Sequence, residues 1–210
     1  MGQVVAIVGA ESTGKTTLAE ALVDALRADG HSVAFVAEYL REFCDVTGRT
    51  PRIDEQQAIA DEQTRRIAAA AGTHELVIAD STELVTAAYS EFYFQDTALY
   101  AQAEAVQRGY ALTLLSALDL PWEPDTFIRD EPSTREPVDA LIRASLARAG
   151  VGYAVVAGLG PARLACALAA VRHLLGQSSP EDEAASRRAW HWVCERCGDT
   201  DCERHLLARG

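Results

Sequence analysis

Gly9-Ala10-Glu11-Ser12-Thr13-Gly14-Lys15-Thr16 fits the pattern G-x-x-x-x-G-K-[ST] of a phosphate-binding P-loop. The flanking sequence supplies the context that this loop needs. Residues 4–8, Val-Val-Ala-Ile-Val, are an apolar, largely β-branched run suited to a strand buried on both faces. Residues 17–27 read as a helix, with Leu18, Ala21, Leu22 and Ala25 at helical spacing and Gly30 beyond its end. In a strand–loop–helix unit the loop amides surround a phosphate, and the helix N-terminus adds partial positive charge. Gly9, Glu11, Ser12, Thr13, Gly14, Lys15, Thr16 and Thr17 are therefore the expected ATP-binding residues. Lys15 reaches the outer phosphates, and the Thr16 hydroxyl is a ligand for Mg²⁺.

The rest of the chain repeats this alternation. Strands are expected at 32–37, 76–79, 110–115 and 153–157. Helices are expected at 38–46, 54–71, 83–89, 97–108, 138–148 and from Pro161 to 175. Gln56, Gln57 and Gln63 are expected on the polar side of the third of these helices, counting 17–27 as the first. Five strands alternating with helices predict an α/β fold, a parallel sheet with helices on both faces. The ligand then sits beyond the C-terminal ends of the strands.

That rule singles out the acids that end two strands. Asp80 closes the third strand and is placed to hold Mg²⁺ or its water shell, although an acid there also caps the next helix. Glu38 follows the second strand and is a candidate base for a substrate hydroxyl, or simply a helix-start acid. Residues 119–137 break the rhythm, with Pro121, Pro124, Pro132 and Pro137 beside Trp122, Arg129 and Arg135. A long loop inside a compact domain is often functional. Here it reads as a lid whose arginines neutralise a transferring phosphoryl group. Trp122 suits stacking on a flat heterocycle, or anchoring of the loop. Arg41 is either a substrate contact or part of a solvated helix face.

Composition narrows the function. The chain has 210 residues, with 31 acidic against 19 basic side chains and a net charge of −12. This disfavours general nucleic-acid binding. No apolar run is long enough to span a membrane, and the first strand begins almost at residue 1. No membrane partner or signal peptide is expected, and the cytoplasm is the expected location. Five cysteines there are expected as thiols or metal ligands.

The P-loop, Glu38-Tyr39-Leu40-Arg41-Glu42-Phe43, Ile78-Ala79-Asp80-Ser81-Thr82 and Leu120-Pro121-Trp122-Glu123-Pro124-Asp125 occur in this order. Together they resemble the NadR-like P-loop kinases, specifically their nicotinamide riboside kinase domain, over residues 1–176. The resemblance implies a nucleoside-kinase-like fold and transfer of the ATP γ-phosphate to the 5′-hydroxyl of nicotinamide riboside. It implies Lys15, Glu38, Asp80 and Arg129 as catalytic residues, with Arg135 on the ATP side. Glu38, Tyr39, Arg41, Trp122 and Tyr153 are implied on the substrate side, with Trp122 stacking on nicotinamide and Tyr153 facing it. The family's regulators carry a DNA-binding segment and an adenylyltransferase domain ahead of the kinase. The resemblance covers neither, so repression and dinucleotide synthesis are not expected. The alternatives are a kinase for another nucleoside, or a regulatory ATPase that docks partners through its C-terminal tail. A homo-oligomer stays open.

That tail, residues 177–210, is expected as a separate unit. Cys194, Cys197, Cys202 and His205 place four soft ligands within twelve residues, a donor set for structural Zn²⁺. The other reading is an amphipathic tail with free thiols. Cys44 and Cys166 sit singly in helical patterns and read as packing residues.

Overall fold

In the computed structural model, residues 1–122 and 132–177 are described. Five parallel strands, β1 (Gln3–Val8), β2 (Val33–Val36), β3 (Leu76–Asp80), β4 (Leu112–Ser116) and β5 (Ala154–Val156), form one sheet in the order β2-β3-β1-β4-β5. The helices among the described residues are α1 (Lys15–Ala28), α2 (Tyr39–Thr47), α3 (Gln56–Ala71), α4 (Glu83–Phe94), α5 (Tyr100–Gln107), α6 (Arg135–Ala149) and α7 (Pro161–Leu174).

The handedness of crossovers explains the layers. Only the β1-to-β2 connection moves toward one edge of the sheet. The later connections all move the other way. Right-handed crossovers then put α1 on one face and α3 to α6 on the other. α7 returns to pack beside α1. Alternate residues of β1 serve the two layers. Val5 and Ile7 join Leu18, Leu22 and Leu26 of α1, whereas Val4 packs with Ile67 of α3 and Val8 with Leu84 of α4. Burial on both faces is the reason the strands read as unbroken apolar runs. Cys44 is buried against Leu40 and Ile59, and Cys166 packs against the α1–α7 layer, as packing thiols should.

The helix boundaries depart from expectation in three places, one of them α5, which begins at Tyr100 rather than at residue 97. α4 runs on to Phe94, because its aromatic C-terminal turn continues the helix until Gln95 adopts a left-handed conformation. α6 begins at Arg135, after a single 3-10 turn at Pro132–Thr134, so the end of the predicted loop is helical. Pro137 is tolerated as the third residue of α6, since the first four N–H groups of a helix have no internal partner to lose.

Strand order positions the site. Chain direction across the sheet reverses at β1, which opens a crevice beyond its C-terminal end. β1 lies between β3 and β4, with Ile7 in register with Asp80 and Leu114. The P-loop therefore emerges beside the acid that ends β3. No helix among the described residues is long and apolar enough to cross a membrane.

Candidate active site

The P-loop keeps its shape through unusual backbone torsions and tied carbonyls. Gly9 has φ +152°, and a Cβ there would lie 3.0 Å from Ser116 Cβ at the end of β4. Gly14 has φ +69°, and a Cβ there would lie 2.7 Å from Leu120 Cδ1. Both positions need glycine for conformation and for space. Ser12 is also left-handed, at φ 51°. The Ala10 carbonyl accepts from Thr13 Oγ1 at 2.7 Å and from Lys15 Nζ at 2.8 Å. The Thr13 carbonyl accepts from the Arg163 guanidinium at 2.8 Å, and the Ser12 carbonyl from Arg135 at 3.5 Å. In a trans peptide a carbonyl turned outward sends the following N–H the other way. The amides after Ser12 and Thr13 are thus turned away from the arginines, as an anion-binding nest requires.

Two acids flank Lys15. Thr16, in the first turn of α1, donates its hydroxyl to Asp80 Oδ2 at 2.6 Å. Asp80 Oδ1 is buried and has no hydrogen-bond partner in the structure. This donor set is a hydroxyl plus a carboxylate with one unengaged oxygen, which suits a hard divalent cation. Glu38 occupies the N-cap position of α2, two residues past β2, with no capping hydrogen bond from its side chain. Burial pushes its carboxyl above the usual range, and the charge of Asp80 pushes the same way. Lys15, Arg41 and a hydrogen bond with Ser81 oppose the shift. The acid that is harder to ionise is thus Glu38, the one that desolvation by its surroundings governs.

The two acid-bearing segments are joined by a residue that sequence reasoning put elsewhere. Gln63 is 3% exposed, and Gln56 is also buried, whereas both were expected on the polar side of α3. Gln63 Oε1 accepts from the Tyr39 N–H at 2.7 Å, and Gln63 Nε2 donates to the Ser81 carbonyl at 3.2 Å. It therefore bridges the residues that follow Glu38 and Asp80. A glutamine one helical turn away from Ile59 and Ile67 was the available signal, because that spacing lies on the apolar face.

A cleft of about 1750 Å³ opens over Lys15, Thr16 and Glu38, with Asp80 and Gln63 buried beneath its surface. The P-loop from Glu11 to Thr16 forms its floor, and Thr17, Glu38, Arg41 and Trp122 line it. One wall is Thr17 and Ala21 of α1 with Gly160, Pro161 and Arg163 at the start of α7. Residues 50–53 and Tyr89, Tyr93 and Phe94 of α4 line the cleft as well. Glu11 accepts hydrogen bonds from the hydroxyls of Tyr89 and Thr134, and its own N–H donates to Tyr89 Oη at 2.9 Å. Arg135 reaches the loop through main chain, with a firmer bond to the Leu120 carbonyl at 2.9 Å.

Arg163, Tyr89 and Thr134 were not anticipated. Arg163 is 5% exposed and binds Asp119 at 2.7 Å as well as the Gly158 and Thr13 carbonyls. An arginine two positions past a helix-opening Pro, just beyond a strand, was its only trace in the sequence.

Two expected substrate residues lie elsewhere. Tyr153 precedes β5 at the N-terminal end of that strand, away from the strand ends that form the cleft, and the Arg143 guanidinium lies 6.0 Å from its ring. Tyr39 follows Glu38 but turns toward α3, where the Arg66 guanidinium lies 4.5 Å from its ring. Neither lines the cleft. Arg129, Cys194, Cys197, Cys202 and His205 lie outside the described residues. Among the described residues, no group of three or more His, Cys, Asp or Glu side chains gathers as a metal site.

Comparison with known proteins agrees with this geometry. The model of a family described as AAA domain matches residues 4–163. Two crystal structures of NadR protein share the fold. One, in complex with NR, has a TM-score of 0.67 at 21% identity, covering 83% of this chain and 51% of that one. The other, in complex with NAD and AMP-PNP, has a TM-score of 0.64 at 21% identity, covering 83% of this chain and 50% of that one. The chain thus spans about half the length of these NadR chains. No curated protein matches it.

Proposed function

The chain belongs to the AAA domain family, and from that premise we propose that it is an ATP-dependent kinase for a small nucleoside, with nicotinamide riboside as the acceptor and nicotinamide mononucleotide as the product. The observation that carries this reading is the pairing of two acids around one P-loop lysine. Asp80 is bonded to Thr16 on the metal side, and Glu38 is held near Lys15 and Asp80 without being the threonine's partner. A nucleotide hydrolase needs the first acid, and a kinase also needs a group to receive the acceptor's proton. The cleft volume supports the same reading, since about 1750 Å³ exceeds the roughly 300–1,000 Å³ of a typical single-ligand pocket. A solved NadR structure holds NR, which supports the choice of acceptor.

In the proposed reaction the acceptor's 5′-oxygen attacks the γ-phosphorus, the bond to the ADP oxygen breaks, and the hydroxyl proton passes to Glu38. Lys15 and the loop amides hold the phosphate charge in place. Thr16 and Asp80 would hold Mg²⁺, whose chemistry is to neutralise charge on the phosphate oxygens. Arg129 is proposed to act on the phosphates from the segment after Trp122. Arg135, expected there too, is proposed instead to support the ATP side by holding the P-loop through the Ser12 carbonyl. Trp122 is proposed to stack on the acceptor's ring. The residues 177–210 are carried as a zinc-binding unit held by Cys194, Cys197, Cys202 and His205. Elemental analysis finding one zinc per chain supports it, and a zinc-free, folded protein refutes it.

The deciding experiment mixes the protein with Mg-ATP and a panel of nucleosides and follows phosphorylated product by mass. Nicotinamide mononucleotide as the dominant product supports the proposal. Phosphorylation of another nucleoside keeps the mechanism and rejects the acceptor. ATP hydrolysis that needs no acceptor, with no phosphorylated nucleoside, points instead to a regulatory ATPase.

A further inference from the structure

The outer end of α4 leaves large aromatic surface open in the cleft. Tyr93 and Phe94 are 46% and 37% exposed. Both line the cleft, and so does Ile53, 50% exposed, from the turn that precedes α3. Clustered exposed apolar side chains of this size mark a binding surface rather than ordinary surface.

Tyr93 is also braced. Tyr89, one helical turn earlier, stacks with it at 6.1 Å between centroids and 13° between planes. Phe92 meets it edge-on at 5.0 Å and 77°. A ring supported on two sides keeps its orientation without a ligand, which lowers the ordering cost of binding.

The same contacts tie this end of α4 to the P-loop. The Tyr89 hydroxyl is bonded to Glu11 inside the P-loop. Tyr93 is therefore one stacked ring further out. The wall is also the acceptor's rather than ATP's. α4 follows β3, which ends in Asp80, and its Tyr93 and Phe94 line the same cleft as Glu38.

We propose that Tyr93 and Phe94, which line the cleft with Ile53, form the platform that holds the flat heterocyclic base of the phosphoryl acceptor. The proposal rests on the kinase reading, in that Glu38 marks the side from which the acceptor enters. It adds a base-holding wall distinct from Trp122, and it makes a nucleoside, rather than a free sugar or an open-chain alcohol, the acceptor class.

The test is kinetic, with nicotinamide riboside, adenosine, cytidine and free ribose as acceptors. Tyr93→Ala and Phe94→Ala are each expected to raise the KM for the nucleoside about tenfold or more, in line with the loss of one stacked base. The KM for ATP should change less than about twofold, which also shows that the variants fold. Tyr93→Phe keeps the ring and should restore the nucleoside KM. Ribose should be a poor acceptor for every form. An unchanged nucleoside KM in the Tyr93→Ala Phe94→Ala double variant overturns the platform while leaving the kinase reading intact. If the wild type phosphorylates nothing, the kinase reading fails, and calorimetry with the same panel decides the platform. Nucleoside binding abolished by Tyr93→Ala supports it, and no nucleoside binding to the wild type overturns it.

Discussion

Thr16 and Asp80 meet across the seam between β1 and β3, with the threonine hydroxyl 2.6 Å from Asp80 Oδ2. Asp80 Oδ1 stays buried and unbonded beside it. A buried carboxylate oxygen without a partner costs free energy, so something must recover that cost in the working state. Under the proposed function the recovery comes from Mg²⁺. Asp80→Asn keeps the shape and removes the charge. Its activity should fall at least about a hundredfold, and Mg²⁺ should stabilise the variant against heat far less than the wild type. Equal stabilisation of both proteins by Mg²⁺ would remove Asp80 from the metal site.

Lys15 rests on the Ala10 carbonyl of its own loop at 2.8 Å. That bond is local and its loss should cost little stability. Lys15→Ala should therefore fold with a thermal midpoint close to the wild type while losing nearly all turnover. Near-normal rates in a folded Lys15→Ala protein would reject the P-loop as the phosphate site.

The raised carboxyl of Glu38 fixes the direction of two pH effects. Its folded-state value lies above the ordinary 4.5, so the native state binds its proton more tightly than the unfolded chain. Glu38 thus favours folding while protonated. That contribution fades as pH rises from 4.5 through the folded value, above which the ionised, partly desolvated group is destabilising. Glu38→Gln should be more stable than the wild type at neutral pH and lose this advantage in acid. A base must be ionised, so kcat/KM for the acceptor should rise through the same raised value. Thermal melts and rate profiles over pH test both, and a Glu38→Gln enzyme with wild-type kcat excludes Glu38 as the base.

Gln63 ties Tyr39 to Ser81 and thereby holds the two acids in one frame. Gln63→Leu loses two hydrogen bonds and leaves a buried N–H and a buried carbonyl unmet, which should cost about 1–3 kcal/mol. Because the acids move relative to each other, kcat should fall more than the KM for ATP rises. A loss of stability with kcat unchanged would reduce Gln63 to a packing role.

Arg163 joins Asp119, the Gly158 carbonyl and the Thr13 carbonyl of the P-loop. Its side chain is only 6% exposed. Arg163→Ala removes the donor to the Thr13, Gly158 and Ala117 carbonyls, while Asp119, about a third exposed, keeps the Gly158 N–H, so a loss of about 1–3 kcal/mol is expected. Arg163→Lys cannot span the same partners, since an ammonium lacks the planar fork. It should fold better than the alanine variant yet still raise the KM for ATP. Denaturant melts and ATP titrations separate the two effects.

Patterns carried by residues close together in sequence are legible because their geometry is local. The P-loop needs only eight consecutive positions, and burial on both faces made β1, β3 and β4 plain as apolar runs. Asp80 and Glu38 were legible as acids at strand ends, because a parallel sheet places its ligand there. Tyr39 and Tyr153 show the limit of that reasoning. Adjacency to Glu38 did not say which way Tyr39 turns, and a strand's start lies at the opposite end of the sheet from its finish.

What the sequence by itself determined is the parallel α/β fold, the phosphate loop and the two acids beside it, since each follows from local pattern and from the rules of strand termini. Only the tertiary structure decided that Gln63, Tyr89, Thr134 and Arg163 belong to the same site, and that Tyr93 and Phe94 face the cleft. Those residues are separated from the P-loop by roughly 50 to 150 positions, as the Tyr89–Glu11 and Arg163–Thr13 contacts show. Their meeting depends on strand order and on which face each crossover takes. Hydrophobic periodicity reports that a face is buried, but not what it is buried against.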